Sequence, residues 1–167
     1  MTGLKFLMIL FAGIAATIDS MPAQVPVHVA PVHLHGPRPL EQQSQAAVIR
    51  DYIHAWQSFH IALEQNRPEL LNADFVGTAK DRLAGTIQQQ DKLGIRTQYQ
   101  DLSHDLQILF YSPDGLSIEL ADNVEYDVQL IDHEKLLTTQ RERARYLVVL
   151  TPAEVRWKVR VFQSVPE

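Results

Sequence analysis

The chain has 167 residues, 46% hydrophobic and 21% charged, which suits one globular domain with a proper core. A net charge of -5 and a pI near 5.8 leave no broad basic field, so a duplex nucleic acid is excluded as a partner. Cysteine is absent, which removes disulfides, thiol nucleophiles, Cys-ligated zinc and a lipidated N-terminal Cys.

After Lys5, Phe6 to Ile18 is an apolar run broken only by Thr17 and closed by Asp19 and Ser20. It has the length of a secretory h-region and falls short of the roughly 20 residues that span hydrocarbon. Residues 1–21 are therefore read as a signal peptide or an uncleaved signal anchor of an exported protein, periplasmic or secreted. Gly13-Ile14-Ala15 and Met21-Pro22-Ala23 are the candidate cleavage sites, and the anchor is the only membrane attachment expected. Residues 22–40 hold five of the nine prolines and read as an extended tether. His28, His33 and His35 fall there, but two imidazoles on a tether with no nearby carboxylate make no metal site.

Residues 41–167 form the expected domain. Val48, Tyr52, Trp56, Phe59 and Leu63 recur at helical spacing, and Pro68-Glu69 opens a short second helix. A third stretch from about Phe75 to Leu93 turns Val76, Ala79, Leu83, Ile87 and Leu93 inward, with Gly94 as its left-handed terminator. From Ile95 the period becomes 2. Leu102, His104, Leu106, Ile108 and Phe110 alternate with mostly polar neighbours, Ser112-Pro113-Asp114-Gly115 turns, and Leu116 to Leu130 alternates again. A third long strand ends at Leu150, and after Thr151-Pro152-Ala153-Glu154 the chain returns through Trp157, Val159 and Val161. Helices first and hairpin-linked strands afterwards give an α+β fold, three helices on a curved antiparallel sheet of four to five strands.

The last two strands, Arg143-Ala-Arg-Tyr-Leu-Val-Val-Leu and Val155-Arg-Trp-Lys-Val, following those helices, resemble the nuclear transport factor 2-like (cystatin-like) superfamily over about residues 45–163. The terminal pattern is similar to SnoaL-like domains and, with the helix from Tyr52 to Trp56, to Tim44-like and chloroplast-division members. The resemblance implies a conical pocket, here lined by Tyr52, Trp56, His60, Tyr126 and Tyr146, and dimers through the outer sheet face. Its members range from dehydratases and isomerases to non-catalytic interaction domains.

Strict alternation puts Asp122 among Leu120 and Val124, where burial would raise its pKa as proton transfer near neutrality requires. With His104 on the neighbouring strand it forms the candidate catalytic pair of a cofactor-free lyase or isomerase. The opposing reading, that a bulge near Asp122-Asn123 turns the carboxylate to water, is favoured by the length of the strand. Trp56 and Trp157 fall in phase with aliphatic neighbours and read as core. Leu109, Tyr111, Leu147, Val149 and Phe162 form an outward apolar strip, a face for a homodimer or another partner. There is no phosphate loop, no Ser-His-Asp arrangement and no metal-ligand cluster, and no cofactor is expected. The leading expectation is thus an extracytoplasmic, non-catalytic domain that binds a small apolar ligand or a protein.

Overall fold

The computed structural model describes residues 24–34, 36 and 38–166, so the expected leader over 1–21 lies outside the described residues. Helix α1 (Gln42–Gln65) buries Val48, Tyr52, Ala55, Trp56, Phe59, Ala62 and Leu63 along one stripe. It ends at Asn66, whose left-handed backbone lets its N–H reach the carbonyls of Ala62 and Leu63. The expected second helix is a 3-10 turn, Pro68–Ala73. Helix α2 (Gly77–Lys92) buries Ala79 and Ile87, whereas Leu93, expected inside, is 62% exposed because the helix closes one residue before it. Gly94 follows at φ +69, where a Cβ would overlap the His133 ring.

Strands β2 (Ile95–Tyr111), β3 (Ile118–Asp132), β4 (Lys135–Pro152) and β5 (Trp157–Val165) form the expected antiparallel meander. One strand comes from the stretch expected as a tether. Strand β1 (Val27–Val29) lies parallel to β2, with Val27 opposite His104, so the five-stranded sheet is mixed. Pro26 and Pro31 lack backbone donors and bound this strand to a short reach. The bonds His104 N–H to Pro26 and Ala30 N–H to Leu106 secure it, and Val29, Val32, Leu34 and Leu40 pack against the core.

Two irregularities rearrange the expected outer strip. Between Ile108 and Phe110 the register with β3 slips at Leu109, which sends Phe110 outward, 48% exposed, and Tyr111 inward, 8% exposed. Between Val149 and Leu150 the register with β5 slips at Arg160, which turns Phe162 into the core, stacked on Tyr146 at 4.7 Å. Each bulge exchanges the faces of every residue beyond it. Of the expected strip, Leu109, Leu147 and Val149 remain outside, and Phe110 and Val161 join the row that runs through Glu119 and Val149.

Candidate functional site

Trp56 occupies the centre of the concave side. Its ring lies 6.5 Å from Tyr52, 5.0 Å from His60, 5.4 Å from His104, 6.3 Å from Tyr126 and 5.2 Å from Tyr146, centroid to centroid. The structure therefore brings together all five residues expected to line a pocket. They pack on one another as a core cluster. Tyr52 and Trp56 are 0% and 1% exposed.

Asp122 is likewise 0% exposed, on the inner side of β3. The bulge expected at Asp122-Asn123 is not there: pairing with β2 and β4 runs through both residues unbroken. Asp122 Oδ2 accepts the Tyr52 hydroxyl at 2.7 Å and meets His104 Nδ1 at 2.7 Å. Its other oxygen, Oδ1, has no partner among the described residues.

A second carboxyl group of this network escapes simple alternation. Asp101 and His104 are separated as i and i+3, yet both face inward, because β2 slips register between Asp101 and Ser103 with Leu102 as the extra residue. Asp101 Oδ1 accepts the Trp56 indole N–H at 2.7 Å, and Oδ2 stands 3.8 Å from His104 Nε2 and 3.6 Å from His60 Nδ1. The spacing Asp-x-x-His, read together with one bulge, is the only sequence signal for it.

The electrostatics follow from this arrangement. Burial alone disfavours a charged His104, but the nearby Asp101 carboxylate and the hydrogen bond to Asp122 outweigh it and push the imidazole up to about 9. Burial dominates at His60, which is lowered to about 4 with the help of the charged His104 nearby. Burial would raise Asp101, yet the neighbouring His104 and the charge of His60 hold it below the ordinary range. Tyr52 is raised well above its usual value by burial and by the Asp122 charge. At neutral pH the cluster is an imidazolium between two buried carboxyl groups, flanked by a phenol and an indole that both donate. Chemically, Asp122 and His104 form a hydrogen-bonded acid–base pair.

Another buried carboxyl group, Asp74, lies on a different side of α1, and the sequence pattern does not signal it. It accepts Ser58 Oγ at 2.6 Å and Arg156 Nη1 at 2.8 Å, with His54 Nδ1 at 3.0 Å, and its backbone carbonyl accepts Val159 N–H. Nearby, Asp51 accepts the Trp157 N–H at 2.8 Å. Arg156 bends back onto Asp74 and His54 and so pins the turn before β5 to α1. Among the described residues no group of three or more His, Asp or Glu side chains is arranged to hold a metal ion.

A three-part helical layer on a bent, open sheet is the architecture of the nuclear transport factor 2-like fold, and solved structures share it. The chain is similar to the intermembrane-space region of the chloroplast protein ARC6, at 14% identity and a TM-score of 0.62, over 78% of this chain and 100% of that one. It is also similar to a putative scytalone dehydratase of Novosphingobium aromaticivorans, at 15% identity and a TM-score of 0.53, over 75% of this chain and 89% of that one. No family model matches the sequence, and no curated protein does either. The chain thus has the nuclear transport factor 2-like fold, a likeness of architecture that leaves its activity open.

Proposed function

We propose that this chain is an exported, non-catalytic domain that binds a protein partner through the outer face of its sheet, while its cone serves as a structural core. The carrying observation is the burial of Trp56, which stands among Tyr52, His60, His104, Tyr126 and Tyr146 with 1% exposure. A cone filled by its own rings favours a protein over a small apolar ligand. The outer row of Phe110, Val149 and Val161, with Leu109 and Leu147 beside it, supplies apolar area on a face otherwise laced by Arg141–Asp127 and Arg143–Glu125 pairs. Export rests on the apolar run from Phe6 to Ile18, and among the described residues no helix is long and apolar enough to cross a membrane. A domain of the same fold from an intermembrane space is compatible with work outside the cytoplasm.

The test is a photo-reactive amino acid at Leu147 in the full chain, expressed in its own host. A discrete protein adduct, lost on Val149→Glu, supports the reading. Absence of any adduct there, together with saturable uptake of an apolar fluorescent probe by the domain, contradicts it. Fusing residues 1–40 to a reporter checks export separately.

A second reading has one observation in its favour: Tyr52 and His104 converge on one oxygen of Asp122 while the other oxygen lacks a partner among the described residues. A cofactor-free lyase or isomerase would use that pair once the cone opened to a substrate. It requires Asp122→Asn to change the binding of a small apolar probe; a folded Asp122→Asn protein that binds the probe as the parent does removes this reading.

A further inference from the structure

Strand β4 pairs with β3 from Lys135 to Leu150, whereas β5 accompanies β4 only from Arg145 to Pro152. Between the β3–β4 turn and Arg145, the far edge of β4 meets no strand among the described residues, and Lys135–Arg143 is exposed throughout. Such an edge presents a row of backbone N–H and C=O groups ready to pair with another strand.

Edges of this kind are usually guarded by charges or bulges. Here the register slips at Leu137, close to the turn, and from Thr138 to Ala144 it runs unbroken against β3. The two arginines of this stretch are drawn away from the edge. Arg141 bonds both oxygens of Asp127, at 2.8 and 3.0 Å, and Arg143 reaches Glu125 at 3.3 Å, so both lie back over the outer face of β3.

The side-chain order of this stretch is self-complementary. In a two-fold antiparallel pair, facing residues come from the same side of the sheet, so each possible register is centred on one residue. Centring on Arg141 sets that arginine against itself. Centring on Glu142 sets the glutamate against itself and Arg141 against Arg143. Centring on Thr139 allows only Thr138 against Gln140 before the bulge at Leu137 ends it. Centring on Gln140 sets Gln140 against Gln140, Thr139 against Arg141 and Thr138 against Glu142, with amide and hydroxyl groups facing charged or amide partners and no like charges opposed.

We propose that the free edge of β4, Thr138–Glu142, is a docking site for the same stretch of a second copy, paired antiparallel about Gln140 so that one sheet runs through both copies. This interface is distinct from the outer sheet face and leaves that face open to a partner.

The experiment is sedimentation of the full chain as its host exports it, at tens of micromolar, with Gln140→Glu and Gln140→Lys as separate variants. Gln140 is exposed, and unchanged thermal midpoints check that both variants fold. The parent protein sediments as a dimer. Each variant sets like charges against each other at the two-fold axis and self-associates at least about fivefold more weakly. An equimolar mixture of the two variants restores a dimer, because the mixed pair brings opposite charges together at that axis, and Leu147→Glu on the outer face leaves the parent dimer intact. A monomeric parent, single variants that dimerise as the parent does, a mixture that stays monomeric, or a dimer abolished by Leu147→Glu each overturns the proposal.

Discussion

Asp101 and His104 lie on the same side of β2 although their spacing alone would place them on opposite sides, because Leu102 is an extra residue in the strand. That single bulge completes a buried chain of polar groups from Tyr52 through Asp122 and His104 to Asp101 and Trp56.

The chain of groups makes stability depend on pH in two directions. His104 is raised from 6.5 to about 9 in the fold, so the folded state holds a proton that the unfolded state gives up. Its contribution is fully present below about pH 6.5 and is lost as pH rises through about 9, on the order of 3 kcal/mol at about 1.4 kcal/mol per pH unit. His60 is lowered from 6.5 to about 4, so its contribution is present above about pH 6.5 and is lost as pH falls toward 4. Urea unfolding between pH 5 and 9 is expected to give maximal stability near pH 6.5. His104→Gln flattens the alkaline limb, and His60→Gln flattens the acid limb.

Much of this fold is legible in the sequence. Helical spacing locates α1 with its buried stripe, and the two-residue rhythm locates β2 to β5. Alternation in β3 carries Asp122 inward without interruption, so the simplest pattern holds at the place where the strand's length argues for a bend. The features that pattern cannot supply are the bulges at Leu102, Leu109 and Arg160, since a slip leaves no mark in residue type and yet exchanges faces. For that reason Asp101 escapes the pattern, and Tyr111 and Phe162 fall inside where alternation puts them outside. Strand β1 is hidden because a proline-rich segment reads as extended whether or not it finds a strand to lie against. The role of Asp74 is hidden because it joins Ser58 and His54 of α1 to Arg156, which lies 82 residues further along the chain.

Removing a member of the buried network leaves its partners unpaired. Asp122→Ala strands His104 and Tyr52 and is expected to cost about 3–5 kcal/mol. Tyr52→Phe removes the hydroxyl bond to buried Asp122 and costs about 1–3 kcal/mol. Chemical denaturation midpoints with unchanged slopes would measure both. A cost below about 1 kcal/mol for Asp122→Ala would mean that the carboxylate is not held as described.

On the other side of α1, Asp74→Asn weakens the bonds from Ser58, His54 and Arg156 and loosens the turn before β5. The expected loss is about 2 kcal/mol, accompanied by faster amide exchange at Trp157 and Val159. Exchange that stays as slow as in the parent would contradict the anchoring role.

Gly94→Ala meets both a left-handed backbone and the His133 ring. A destabilisation of about 1–2 kcal/mol is expected in thermal unfolding, whereas Gly85→Ala, inside α2 with an open Cβ position, is expected to stabilise by about 0.5–1 kcal/mol.

The filled cone is tested most directly through its central indole. The chain has two tryptophans, so Trp157→Phe leaves Trp56 as the sole reporter. Its emission should be blue-shifted and nearly immune to acrylamide in the folded protein, and Trp56→Ala should open a cavity that binds an apolar probe at a cost of about 3–5 kcal/mol. Red-shifted, readily quenched emission from Trp56, with probe uptake by the parent protein, would contradict a closed core and return the cone to the role of a binding chamber.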